Sequence, residues 1–235
     1  MSTTTSEQDP TTLPARVRWR RALGALATVL RDPDQTDQVL AFSMYANAGS
    51  LPDRIHRFYA DPAALRLYEE RRSIDTRSVD LAALGALPEG TLGRAYADFL
   101  RERGLSPDVF EAPKELRDPH MTYVLQRLRQ THDLWHVVTG YETDAPSEIA
   151  LQAFTYGQLR APSALVLALG GTLRSVRHKP TLAFHALRGF LVGARAKQLA
   201  TFPWEDHWST PLAEVRALLG LPASTAPAKR AARAA

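Results

Sequence analysis

The chain has 235 residues, enough for one sizeable domain and short for two. Its 45% hydrophobic and 23% charged content is that of an ordinary soluble globular protein, and the absence of cysteine excludes disulfides and thiolate metal ligands, leaving His, Asp, Glu or backbone oxygen to hold any metal. The formal charge of +4 owes much to Lys229, Arg230 and Arg233 near the end of the chain, and without a basic-aromatic motif it gives no case for a nucleic-acid partner.

The opening MSTTTSEQDPTT is polar and lacks an apolar core, so it is not a secretory signal. Residues 1–13 have little to bury and are expected to be disordered. From 14 to 223 the pattern predicts a single all-α domain of many helices. The first covers 17–30, arginine-rich on one side, with Trp19, Leu23, Leu26 and Leu30 recurring at three- and four-residue steps. A second covers 37–48, with Thr36 as N-cap and Gly49 as stop. Asp61 caps a segment that has Pro62 at its first position and Leu65 and Tyr68 behind it. LPEGTLGRAYADFLRERGL, 87–105, gives a turn, a helix and Gly104 as stop. Pro119 opens a helix reaching about Gly140, another begins near 144–146, Pro162 starts a third, and after a break at 178–180 a last one covers 181–199. The longest apolar run, ALVLALGGTL at 164–173, is well short of the roughly 20 residues that span a bilayer, so no integral segment is expected. The tail STAPAKRAARAA, 224–235, is expected to be disordered and basic.

The chemistry lies in THDLWHVVTGYETDAPSE, 131–148. On a helix, Met121, Leu125, Leu128, His132, Trp135 or His136, and Thr139 follow one another at three- and four-residue steps. The two histidines therefore continue an apolar stripe, with Cβ atoms about 5–6 Å apart, and both can point at one ion. Asp133 is turned about 100° from His132, toward the stripe's edge. Glu148 belongs to the next helix, because Gly140 and Pro146 interrupt the first, and a helical hairpin can bring its carboxylate back against the histidines. Two nitrogens and one or two carboxylates leave coordination positions open, as a catalytic metal requires. The plainer account makes the histidines core residues bonded to carbonyls, pairs Asp133 with Arg129 and assigns Glu148 to the helix dipole. It deals poorly with two ionisable rings in one apolar stripe, whose burial without partners costs several kcal/mol.

Three families share such a motif. The H-E-x-x-H zinc proteases have a glutamate where this chain has Asp133. HDLWH resembles the central motif of the HD-type metal-dependent phosphohydrolases, which would also need His56 or His120 and a later Asp206. The widest match is to the coenzyme Q (ubiquinone) biosynthesis protein 4 family. Its signature, H-D-x-x-H followed by eleven residues and a glutamate, is met by His132, Asp133, His136 and Glu148. The resemblance extends to LYEERRSID at 67–75, LPEGTLGRAYADFL at 87–100 and PLAEVRALLGLP at 211–222, and so covers roughly 15–222. It departs from the family at Arg72, where a proline is expected.

The resemblance implies an all-helical protein of ubiquinone biosynthesis with an apolar, lipid-facing cavity between its helices. It implies a divalent metal at His132, Asp133, His136 and Glu148, foremost Zn²⁺ with Fe²⁺ or Mn²⁺ as alternatives, and makes the same four residues catalytic. The implied reaction is oxidative decarboxylation at ring carbon one of a polyprenylated hydroxybenzoate. The implied alternative is a non-catalytic lipid-binding scaffold for the other ubiquinone biosynthesis enzymes at a membrane surface. A homo-oligomer is expected. For a GC-rich bacterial source, which the alanine and arginine content suggests, the location is cytoplasmic and peripheral on the inner membrane. The apolar helix from Pro162 is most simply a central core helix, although Gly170 and Gly171 admit close approach of a prenyl chain. Arg174, Arg177, His178 and Lys179 suit anionic lipid head groups or a solvated loop. Trp204 and Trp208 suit an interface or simple packing.

Overall fold

The computed structural model describes residues 9–32, 35–109, 116–175 and 177–223. The segments 1–8 and 224–235, expected to be disordered, lie outside these residues. Residues 10–12 form a 3-10 turn capped by Asp9, with Pro10 buried, so order begins before the expected boundary at residue 13.

Twelve α-helices and no strand are found among the described residues: α1 (Ala15–Arg31), α2 (Thr36–Asn47), α3 (Leu51–Tyr59), α4 (Pro62–Glu69), α5 (Leu81–Gly85), α6 (Leu92–Arg103), α7 (Pro119–Gln130), α8 (His132–Thr139), α9 (Ala145–Leu159), α10 (Pro162–Ser175), α11 (Thr181–Arg195) and α12 (Leu212–Leu218). The expected all-α class is what forms. Caps explain many of the boundaries. Asp61, Asp80, Thr91, Asp118 and Asp144 each accept a backbone N–H from the first turn of their helix. Proline stands in the first turn of α4, α7 and α9 as well, where it forfeits no helical hydrogen bond.

The main core joins α6, α7, α8, α9 and the C-terminal segment through Tyr96, Leu100, Val124, Leu134, Trp135, Phe154 and Trp204. Helices α9 and α11 approach closely. A Cβ on Gly157, Gly189 or Gly193 would come within 3.0 Å of backbone atoms of the facing helix. A smaller cluster of Ala22, Ala25, Phe42 and Ala46 holds α1 to α2 and to Val166 and Leu167 of α10.

Several expectations are corrected. The α1 stripe does not face the core: Trp19, Leu23 and Leu30 are exposed, and the buried residues are Ala22 and Ala25, whose small side chains allow close contact with α2. In α4 the buried face is Ala64 and Leu67, with Leu65 exposed. Helix α2 starts at Thr36 itself, so Gln35 occupies the N-cap position. The helix from Pro119 is interrupted at Thr131, whose hydroxyl donates back to the Arg127 carbonyl at 2.9 Å, a competing bond of the kind that bends helices. Helix α11 stops at Arg195 because Ala196 is extended. Helix α10 is not a central core helix: it buries only Ser163, Ala164 and Ala168 and exposes Leu169 and Leu173. Helices α3, α5 and α12 were not resolved by periodicity, since each offers fewer than three turns.

Candidate metal centre

His132 opens α8 and His136 follows one turn later, their ring centroids 4.9 Å apart and their planes nearly perpendicular. Helix α8 ends because Gly140 takes a left-handed φ of 75° and returns its N–H to the His136 carbonyl at 2.7 Å. A side chain there would resist that conformation. The turn presents the Tyr141 carbonyl to His136 Nδ1 at 3.0 Å. A carbonyl only accepts, so Nδ1 carries the proton and Nε2 is the free or exchangeable site.

Asp144 then caps α9 by accepting from the Ser147 N–H at 2.9 Å, which fixes Glu148 in the first turn. The Glu148 carboxylate lies 3.2 Å from His136 Nε2. One ligand atom each from His132, His136 and Glu148 lie within 4.8 Å of one another. The hairpin thus delivers the carboxylate to the histidine pair. Asp133 stands outside this triplet, half-buried on the same helix.

The electrostatics separate the two rings. Burial, reinforced by the charge of His136, lowers His132 to about 4 despite the opposing Glu148. Burial would also lower His136, but its hydrogen bond to Glu148 and that carboxylate's charge outweigh it, and the Tyr141 carbonyl and Asp133 add to the rise. At neutral pH His132 is therefore uncharged, while His136 is biased toward its protonated form. Burial raises the Asp133 carboxyl; His136 and Arg103 oppose this and Glu148 adds to it. Behind His136, Phe99 stacks on the ring at 5.5 Å, and the Arg103 guanidinium lies over the Phe99 ring at 4.0 Å. Arg103 is itself paired with Glu142.

The remaining ligand candidates do not join the site. His56 is exposed on α3. His120 stacks on Tyr68 at 4.3 Å. Asp206 pairs with Arg72 at 2.5 Å and Arg66 at 3.5 Å. The HD-type ligand set is thus not assembled. The same contact explains Arg72, which ties its loop to the C-terminal segment where a proline was expected.

The family model for "Coenzyme Q (ubiquinone) biosynthesis protein Coq4" matches residues 11–224. The chain belongs to the Coq4 family. A mitochondrial ubiquinone biosynthesis protein COQ4 of Laccaria bicolor is 30% identical over 202 residues, covering 85% of this chain and 68% of the relative. A mitochondrial COQ4 homologue of Rattus norvegicus is also 30% identical over 202 residues, covering 85% and 76%. The crystal structure of a Nostoc punctiforme protein provisionally assigned to ubiquinone biosynthesis superposes with a TM-score of 0.70 at 28% identity, covering 86% of this chain and 97% of that one.

In this Coq4-family chain a cavity of about 280 Å³ opens beside the triplet. His132, Gln152 and Thr155 supply polar atoms to its wall, and Met44, Leu51, Leu125 and Leu128 supply apolar ones. Helix α10 contributes Ser163 and Ala164, not its Gly170–Gly171 face. Trp204 is fully buried and Trp208 stacks on Tyr96 at 5.7 Å, so both tryptophans pack. Arg174, Arg177, His178 and Lys179 are all exposed. So are Leu169, Leu173, Phe184, Leu187 and Leu191 on α10 and α11. No helix of the described residues is long and apolar enough to cross a membrane. Sequence reasoning passed over Tyr141, which acts through its backbone, and the Phe99–Arg103 stack, which lies on another helix and carries no motif. Gly140 was read only as an interruption, although a glycine closing a histidine helix signals a carbonyl turned back toward it.

Proposed function

We propose that this chain removes the ring-carbon-one carboxyl of a polyprenylated hydroxybenzoate during ubiquinone biosynthesis, at a divalent ion held by His132, His136 and Glu148. The observation that carries this reading is the donor triplet itself, two imidazoles and a carboxylate converging from two helices beside a cavity that His132 borders. Imidazole with carboxylate suits Zn²⁺, with Fe²⁺ or Mn²⁺ as alternatives. When bound, the ion supplies Lewis-acid stabilisation of charge on a substrate oxygen.

The chain's own residues do the rest. His132 offers a lone pair without first losing a proton. His136 offers Nε2 while the Tyr141 carbonyl fixes the ring through Nδ1. Asp133, its pKa raised and its charge coupled to that of His136, is suited to exchange a proton with the substrate. The apolar cavity wall takes the prenyl tail. The carboxylic acid, dioxygen, two electrons and two protons give the phenol, carbon dioxide and water, so the reaction draws on dioxygen and an external two-electron reductant.

A scaffold is the second reading. It is favoured by the exposed leucines and Phe184 of α10 and α11 beside Arg174, Arg177, His178 and Lys179, a combination suited to an anionic lipid surface. Either reading places the protein peripherally on the inner membrane beside other enzymes of the pathway. The test is elemental analysis and product formation in wild type and in a folded His132→Ala/His136→Ala variant. About one ion per chain, lost together with product in the variant, supports the enzyme. Undiminished product in the variant favours the scaffold, and absence of metal after equilibration with zinc, iron and manganese removes the enzyme reading.

A further inference from the structure

Arg54 projects from the same face of α3 as Leu51, Ile55 and Phe58, into apolar surroundings. It borders the 280 Å³ cavity and also a recess of about 60 Å³ beside it, and the two share Leu51, Leu128 and Leu159. Its Nε is shielded from water and has no hydrogen-bond partner. Burial lowers its guanidinium to about 10, and the one charged neighbour that adds to the shift is Arg57, another cation. Arg54 remains charged at neutral pH, and among the described residues no carboxylate is a cause of its shift. Arg127, by contrast, is fully buried and has Glu205 to itself. A half-buried guanidinium whose Nε lacks a partner carries a cost that a ligand's acid group would remove.

We infer that Arg54 is an anion-binding residue of the cavity bordered by His132, and that the cavity's ligand carries an acidic head group, a carboxylate or a phosphate, at the Arg54 side. The inference rests on the reading above only in taking this cavity as the ligand site; it does not depend on a metal. A guanidinium in a fixed apolar wall favours a planar or tetrahedral oxyanion over a hydroxyl, because its paired N–H groups match two acceptor oxygens. The apolar neighbours favour a chain attached to that group. The selective ligand is thus an acidic amphiphile, and the neutral alcohol of the same chain length is the discriminating control.

The test is titration calorimetry of the full chain, kept in chelator so that no metal contributes, with decanoate, decyl phosphate and decanol. At least one acid binds about tenfold or more tightly than decanol, the gain expected of a charge-assisted contact. The preferred acid tells carboxylate from phosphate. Arg54→Gln brings that acid to within about twofold of decanol, leaves decanol binding unchanged, and keeps or raises the melting temperature. A purely structural arginine would instead lower it by about 4 °C or more. Equal binding of all three ligands by wild type, an acid preference that survives Arg54→Gln, or that loss of melting temperature overturns the assignment. Failure of all three ligands to bind removes the cavity as the ligand site, whatever the metal content.

Discussion

His136 holds Glu148 Oε1 3.2 Å from its Nε2 while the Tyr141 carbonyl sits 3.0 Å from its Nδ1. The ring is thus gripped at both nitrogens, and on the proposed reading a metal ion would replace the proton between Nε2 and the carboxylate. Because Glu148 raises the pKa of His136, binding a divalent ion must expel that proton. His132, at about 4, has none to release near neutral pH. Zinc titration in buffers of different ionisation enthalpy is expected to report proton release on ion binding near neutral pH, with affinity falling as the pH drops. In Glu148→Gln the release should shrink and the affinity fall by about 100-fold or more, since the proposed site loses one of its three ligands and outer partners alone are worth 10–100-fold. Proton-free binding in wild type would show that His136 is already neutral and that the Glu148 contact does not hold a proton.

Arg127, one turn before the break at Thr131, is 1% exposed and forms a two-pronged pair with Glu205. Its Nη2 also reaches the Phe202 carbonyl at 3.2 Å. Removing one partner strands the other in a poorly solvated site, so Arg127→Met should cost about 3–5 kcal/mol. The double change Arg127→Met/Glu205→Leu should recover most of that loss. Denaturant unfolding of the two single variants and the double variant gives the coupling directly. Simple additivity would mean that the pair is not a unit.

The parts of the fold legible in the sequence are those set by local chemistry. The Asp61 cap, Pro119 and the Asp144–Pro146 stretch announce helices; the Asp61 cap forms as expected, and Asp118 and Asp144 cap the other two. The i, i+4 spacing of His132 and His136 and the short loop to Glu148 were enough to bring the three side chains together. What was not legible depends on tertiary neighbours. Periodicity located the stripe of Trp19, Leu23 and Leu30, but a stripe does not say which body it faces, and among the described residues it is left exposed. Helix α10 looked central because its composition is apolar, yet a helix at the surface can carry the same residues. Arg54 carries no local sign at all, because its isolation lies in what surrounds it.

The α9–α11 contact leads to a paired prediction. Gly193 has no room for a side chain, since a Cβ there would fall within 3.0 Å of Phe154 backbone, whereas nothing lies within 4 Å of the same position on Gly170 in α10. Gly193→Ala must push the two helices apart and should destabilise by about 1–3 kcal/mol. Gly170→Ala should stabilise by about 0.5–1 kcal/mol, because it only reduces the freedom of the unfolded chain. Thermal melts of the two variants would decide the matter, and equal effects of the same sign would contradict the packing described.

Asp75 makes the fold sensitive to acid. Burial pushes its carboxyl up, but the Ser78 hydroxyl at 2.8 Å, the Ser73 hydroxyl at 3.0 Å and Arg77 at 3.1 Å more than offset this and hold it at about 2. Ser73 in turn accepts from Gln130 at 2.8 Å, at the end of α7 and just before the histidines. The folded pKa lies below the ordinary carboxylate value near 3.9, so the folded state binds this proton less readily than the unfolded state. The resulting stability, about 2 kcal/mol, is fully present above about pH 4 and is lost as the pH falls toward about 2. Asp75→Asn should therefore lose about that amount at pH 7, and its stability should fall less steeply than wild type between about pH 4 and 2. Urea unfolding at stepped pH measures both slopes, and parallel slopes for the two proteins would remove Asp75 as the source of the acid sensitivity.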